Sequence, residues 1–354
     1  PPPALHAAEY RLVAAPRHCA ATLADAQDLL MTLNTADQIR SSGQTCSGGK
    51  FAEWQRDQAP QLCKVAGGGD ALTWEFTHPL HYLMSEGAVG GVIGPVANRI
   101  GGAKATIGKR TLKLDANEGD NCLHSGARST LYRFWHLSVE NDGILAELEV
   151  PHRADGFPGR RMFKAFYRFN DQGDALELTL SMRSTRDTLV NMTHHPYWNL
   201  GGGEALTGHL LEIPALGALV LDEGQIPTGE MMDWEAVGND FSKPTSLDLK
   251  RADYDLHFVL PEDRGFNARL SYPRLGRSLT IESDKPGIQL YTRSGGSLEA
   301  PSGDAEAGAV EGLPEAVCLE PQLHPDAPNH SEFPSIELRA KETYEHRMIY
   351  HLNW

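Results

Sequence analysis

From about residue 100 onward the chain is written with a period of two, interrupted by short clusters of Gly, Pro, Asp and Asn. Ala175-Leu176-Glu177-Leu178-Thr179-Leu180-Ser181 alternates apolar and polar residues, the pattern of a strand with one buried and one wet face. Met162-Phe163-Lys164-Ala165-Phe166-Tyr167-Arg168-Phe169 precedes it, and Asn170-Asp171-Gln172-Gly173-Asp174 lies between. The two runs therefore predict a hairpin with a glycine-containing loop. Similar runs recur at 144–150, 209–213, 268–272, 278–282, 288–292, 335–339 and 344–352. Turn clusters such as Leu200-Gly201-Gly202-Gly203 and Pro301-Ser302-Gly303-Asp304 separate them. Many short strands with regular turns predict an all-β chain with few short helices, built as a large antiparallel β-sandwich or barrel. Strands and helices do not alternate, which argues against a doubly wound nucleotide fold.

The first 85 residues break this rhythm. Leu23, Ala26, Leu30 and Leu33 fall on one helical face and predict an amphipathic helix over 22–40, followed by a polar, Gly-rich loop at 41–49. The expected organisation is a divergent N-terminal segment, 1–85, packed on one β domain, 86–354. The length of 354 residues is compatible with this, because large all-β domains reach that size.

Charge and cysteine usage narrow the partners. Acidic residues outnumber basic ones, 47 to 32, for a formal charge of −15, and binding to a phosphate backbone needs the opposite sign. No apolar run approaches the roughly 18 to 20 residues that cross a bilayer, so neither nucleic acid nor membrane is an expected partner. The five cysteines form no CxxC pair and no zinc spacing, which predicts reduced, packed thiols and a cytoplasmic location. A periplasmic or secreted location is expected instead if a leader was removed. Fifteen histidines invite a metal, but HExxH is absent and Pro79 separates His78 from His81. His194 and His195 are adjacent, and on a strand they face opposite sides. No metal is expected.

A site without metal is easier to assemble. His195 lies in Asn191-Met192-Thr193-His194-His195-Pro196-Tyr197-Trp198-Asn199-Leu200, dense in polar and aromatic groups. His124 lies in Asn121-Cys122-Leu123-His124-Ser125-Gly126. Glu320 follows the apolar run Ala316-Val317-Cys318-Leu319, and a carboxylate set against apolar residues has a raised pKa. Tyr197 and Trp198 are rings suited to stacking on a sugar. Taken singly, each residue reads equally well as part of a core or a surface, and spacing alone leaves the function open.

Over residues 86–354 the chain resembles the aldose 1-epimerase (galactose mutarotase) family, through blocks in the family's order. Gly94-Pro95-Val96-Ala97-Asn98-Arg99-Ile100 is similar to G-[RP]-x-A-N-R-I, and Asn121-Cys122-Leu123-His124-Ser125-Gly126 to N-x-L-H-G-G with Ser125 for the first Gly. Thr193-His194-His195-Pro196-Tyr197-Trp198-Asn199-Leu200 is similar to T-N-H-S-Y-F-N-L. Ile226-Pro227-Thr228-Gly229-Glu230 resembles the P-T-G-E segment, and Tyr254-Asp255-Leu256-His257-Phe258 the Y-D-x-x-F. Leu319-Glu320-Pro321-Gln322 with Pro325-Asp326-Ala327-Pro328-Asn329 resembles L-E-x-Q-x-x-P-D-A-x-N.

The resemblance implies a galactose mutarotase-like supersandwich and an enzyme that interconverts the α and β anomers of a free hexose. It places Glu320 as general base at the anomeric hydroxyl, His195 as general acid at the ring oxygen, and His124 as a hydrogen-bonding group beside them. Arg99 and Asp255 would grip sugar hydroxyls with Asn98 supporting Arg99; Tyr197 and Gln322 are further substrate-binding candidates. Such chemistry needs one acid and one base, so no cofactor or metal is implied. The expected partner is a monosaccharide, and the expected state a monomer or weak homodimer. Two other readings stay open at this point, a non-catalytic sugar-binding or sensor protein and an epimerase of a modified or phosphorylated hexose.

Overall fold

The alternating run at 175–181 forms the middle of a nine-stranded antiparallel sheet. In spatial order its strands are Thr245–Ser246, Leu210–Glu212, Ala268–Tyr272, Arg277–Ser283, Thr343–Asn353, Ala175–Ser184, Arg161–Phe169, Gly143–Val150 and His136–Glu140. The structure, a computed structural model, describes residues 12–13, 65–67, 70–74, 87–140, 143–249, 253–298 and 310–353. The expected helix at 22–40 and His78 and His81 lie outside the described residues. The expected hairpin is present: Arg161–Phe169 pairs with Ala175–Ser184, with Phe163 opposite Met182 and Ala165 opposite Leu180. Leu176, Leu178, Leu180 and Met182 all point to one face and are buried, as a period of two requires.

A second, six-stranded antiparallel sheet lies against that face. Its order is Tyr197–Trp198, Ala316–Gln322, Gly287–Arg293, Asp255–Val259, Gly217–Leu221 and Pro227–Met232. Trp198, Phe258, Ile288, Leu290, Val317 and Leu319 from this sheet join Leu178, Leu180, Ile281 and Tyr350 from the larger one in a single core. At about 25 cal/mol per Å² of apolar surface removed from water, this shared core is the main force holding the two sheets together. The architecture is a large β-sandwich. Among the described residues, helix is limited to the α-helical turn Trp234–Val237 and five 3₁₀ turns. None of these is long and apolar enough to cross a membrane.

The edge of the smaller sheet continues into a segment earlier in the chain. Thr73 bridges Trp198, Trp74 N–H donates to the Tyr197 carbonyl at 2.8 Å, and Asn199 N–H donates to the Leu72 carbonyl at 2.9 Å. Leu72 and Trp74 are buried there, so residues 72–74 extend the edge of the smaller sheet. A smaller, separate apolar cluster includes Val96, Ile100, Ala105, Leu112, Cys122 and Phe157. Cys122 and Cys318 are both buried free thiols.

Candidate active site

The strand Ala316–Gln322 is buried along its whole length, for a different reason on each face. Val317 and Leu319 enter the core between the sheets, so Cys318, Glu320 and Gln322 must point the opposite way. The next strand, Gly287–Arg293, places Gln289 opposite Glu320, and Asp255–Val259 beyond it places His257 opposite Gln289 and Asp255 opposite Tyr291. Glu320, Gln322, Gln289, His257 and Asp255 therefore share the outer face, carried on three paired strands.

His195 closes over this face from a separate strand, Thr193–His195, which pairs with Gly91–Ile93. As expected for adjacent strand residues, the two histidines diverge. His194 sits beside Tyr350, its Nδ1 3.0 Å from the phenol oxygen, while His195 Nε2 lies 3.4 Å from Glu320 Oε1. The edge of His124 meets the His195 ring at a centroid distance of 5.6 Å.

The loop that carries His124 is held by a reciprocal tie. His124 N–H donates to the Asn98 carbonyl at 3.0 Å, and Asn98 N–H donates to His124 Nδ1 at 3.1 Å. Nδ1 is thus an acceptor, which puts the proton of the neutral ring on Nε2. Ser125 Oγ accepts from Val96 N–H and donates to the Val96 carbonyl, both at 2.8 Å. Asn98, His124 and Ser125 all have left-handed backbones, with φ of 60°, 49° and 67°. Such a conformation is costly for residues with side chains, and these hydrogen bonds hold it in place.

Asn98 supports Arg99 through its side chain, Oδ1 accepting from Arg99 N–H at 3.0 Å. The Arg99 guanidinium spans Glu118, at 2.6 and 2.9 Å, and Asp255, at 3.3 Å. Gln289 Nε2 donates to the other oxygen of Asp255 at 2.6 Å. Neither Glu118 nor Gln289 stands out in the sequence. Gln289 was detectable as a polar residue at a fully buried position of the run 288–292; Glu118 carries no such signal.

Glu320 Oε2, Gln322 Oε1 and Nε2, Gln289 Oε1, His195 Nδ1 and His257 Nδ1 are buried polar atoms without a hydrogen-bond partner. Each costs about 1–3 kcal/mol when unsatisfied, and their concentration on one face marks a place built for a polar ligand. Burial also shifts the proton affinities of Glu320 and the two histidines. It lifts the Glu320 carboxyl well above the usual carboxylate range, the nearby Asp255 charge adds to this, and Arg99 opposes it. Burial lowers His195 to about 4 and His124 well below the ordinary imidazole value. At 3.4 Å the Glu320–His195 contact has the distance of an ion pair, yet burial disfavours charge on either partner. The titrations of the two groups are therefore coupled.

Two aromatic expectations need correction. Tyr197 does not offer its ring to a ligand: Trp74 stacks on it with centroids 4.5 Å apart, its hydroxyl donates to the Gly87 carbonyl, and it backs His195 at 5.2 Å. Trp198 lies on the other side of its strand, in the core beside Tyr350. Gln322, a substrate-binding candidate from the sequence, is on the outer face and fully buried.

Residues 61–351 match the family described as aldose 1-epimerase. The chain belongs to this family. It is 32% identical over 276 residues to the galactose mutarotase of Mus musculus, covering 75% of this chain and 79% of that one. It is 28% identical over 289 residues to the maltose epimerase of Levilactobacillus brevis, covering 78% and 81%. Among solved structures it resembles an aldose epimerase homologue from C. elegans, with a TM-score of 0.72 at 25% identity, covering 80% of this chain and 88% of that one. It shares its fold with a galactose 1-epimerase from Lactobacillus acidophilus NCFM, at a TM-score of 0.70 and 22% identity over 84% and 89% of the two chains. Membership makes this protein an epimerase. The match begins at residue 61, so it takes in the segment around Leu72 and Trp74 that extends the smaller sheet.

Proposed function

We propose that this epimerase interconverts the α and β anomers of a free hexose of the galactose or glucose type, with Glu320 and His195 as the proton-transfer pair. The observation that carries the reading is the 3.4 Å approach of His195 Nε2 to Glu320 Oε1 on a buried face lined with unpartnered polar atoms. The anomeric hydroxyl and the ring oxygen of a pyranose are bonded to the same carbon, so two converging groups reach both. Glu320 takes the hydroxyl proton as the C1–O5 bond breaks, the electron pair forms the C1 carbonyl, and His195 delivers a proton to O5. Rotation about C1–C2 and closure on the other carbonyl face, with roles reversed, yields the other anomer.

The remaining groups orient the sugar. His124 presents Nε2–H beside His195, suited to an oxygen at the anomeric centre. Arg99 and Asp255, already aligned with each other, suit vicinal hydroxyls that need fixed donors and acceptors. Arg99 is engaged by Glu118 and Asp255, which disfavours a sugar phosphate. A sugar sensor without turnover has no need of an acid and a base held together. Mutarotation polarimetry tests the proposal: fresh α-D-galactose or α-D-glucose should lose its excess rotation faster with the protein than without it. Sugar binding at an unchanged spontaneous rate would sink the catalytic reading in favour of a binder.

A further inference from the structure

A guanidinium carries five N–H donors, and the carboxylates around Arg99 take three of them. Glu118 Oε2 accepts from Nε at 2.6 Å and Glu118 Oε1 from Nη2 at 2.9 Å, while Asp255 Oδ2 accepts from Nη1 at 3.3 Å. One N–H on each terminal nitrogen is therefore without a partner among the described residues. The group is planar and rigid, so whatever fixes its plane also fixes where those two donors point. Glu118 is the stronger constraint. It grips one edge as a fork with the short distances of a charge-assisted pair, whereas Asp255 makes a single, longer contact. Burial works against the Arg99 charge, and the two carboxylates more than offset it.

The loop that bears Glu118 is built to hold it there. Arg99 and Leu123 are directly paired on neighbouring strands. The Asn117 side chain clasps Leu123 at both backbone groups, accepting from its N–H at 2.9 Å and donating to its carbonyl at 3.1 Å. Glu118 and Asn121 exchange backbone hydrogen bonds at 3.2 and 2.9 Å. The Asn121 side chain anchors this turn, accepting from Gly102 N–H and donating to the Gly224 carbonyl, both at 3.0 Å. The Glu118 side chain is 38% exposed against 10% for Arg99, so water is open to the carboxylate, yet both its oxygens turn to the guanidinium.

We infer that Glu118 is a positioning residue for sugar recognition, aiming the two remaining N–H groups of Arg99 at a pair of neighbouring hydroxyl oxygens of the hexose. The inference rests on the proposed role of Arg99 in gripping sugar hydroxyls. Among the described residues no hydrogen bond or ion pair joins Glu118 to Glu320 or His195, so its effect falls on binding, with little on the proton transfers.

The test is Glu118→Gln, which keeps the size of the side chain but removes the charge and leaves one acceptor where there were two. Calorimetric titrations use D-galactose and its 2-, 3-, 4- and 6-deoxy forms, at a temperature well below the melting point of either protein. The variant should bind D-galactose about 3- to 10-fold more weakly. It should also lose most of the wild-type discrimination against the deoxy forms at two neighbouring positions and keep it at the others. In mutarotation assays KM should rise by the same factor while kcat stays within about threefold. In an Arg99→Lys background, which lacks the fork, Glu118→Gln should add little further weakening. An unchanged dissociation constant overturns the inference, as does an equal weakening for all five sugars, which would make Glu118 a mere support of its loop. A fall of kcat at constant KM, or full additivity with Arg99→Lys, overturns it too. A wild type that binds these sugars without speeding mutarotation defeats the proposed activity alone, and the selective loss in Glu118→Gln would still uphold the positioning role.

Discussion

At the level of single residues, the central fact is that Glu320 and His195 are both held in a place that disfavours charge. An exposed carboxylate and imidazole would each settle in its ordinary state at neutral pH, with little driving force to exchange a proton. Burial brings their proton affinities into competition, so a proton can move in either direction, as a reversible ring opening demands. Glu320→Gln and His195→Asn should each reduce the enzyme-dependent rotation rate by about 10²- to 10⁴-fold. Their melting temperatures should stay at or above that of wild type, because an unfavourably buried titratable group has been removed. A variant that kept its rate would dismiss that residue as acid or base.

The same pair dictates the pH dependence. Only the singly protonated pair can give one proton and take another. As pH falls through about 4, His195 gains a proton, the pair carries two, and kcat should drop. As pH rises through the elevated value of Glu320, the pair loses its single proton and kcat should drop again. The expected profile is a broad bell with its acid limb near 4, below the ordinary histidine range. An acid limb at an ordinary histidine value of about 6.5 would mean that His195 is not desolvated in the working enzyme.

Among the elements, the strands and the covering loops differ in how they were read. The run 175–181 announces its strand, because alternation is a local property of the chain. Glu320 on the strand Ala316–Gln322 was also readable as buried, since the apolar residues before it are contiguous. The left-handed turns at Asn98, His124 and Ser125 were not. Their conformation is held by hydrogen bonds between segments 26 to 29 residues apart, and no local pattern encodes such a contact. Ser125, which replaces a glycine of the motif, is the clearest case, because its hydroxyl makes both bonds to Val96. Ser125→Ala should cost about 1–3 kcal/mol in denaturant unfolding by leaving a buried N–H unpaired. It should also lower kcat/KM as the His124 loop loosens. If stability were unchanged, those bonds would not be what holds the loop.

For the molecule as a whole, two sheets share one core, yet the proposed chemistry sits on the outer face of only one. Stability and catalysis are therefore separable. Leu178, on the nine-stranded sheet and fully buried, is remote from the outer face. Leu178→Ala should destabilise the fold by about 2–5 kcal/mol, seen as a lower melting temperature. Well below that temperature kcat should be close to wild type. A loss of kcat at full folding would show that the core transmits strain to the site.

What the amino-acid order determined by itself is the all-β class, the run of hairpins and, through the motif blocks, Glu320 and His195 as the candidates for base and acid. Alternation and short motifs are written in neighbouring residues, and a strand's side-chain period needs no partner to be read. What only the tertiary structure decided is which face each residue occupies once the sheets meet. It turned Trp198 into the core and covered Tyr197 with Trp74. It also brought Glu118 and Gln289 into one network with Arg99 and Asp255, and set His257 against His324 on the same face. These residues come from strands and loops far apart in the chain, and their meeting depends on sheet pairing and core packing, which no single stretch of sequence contains.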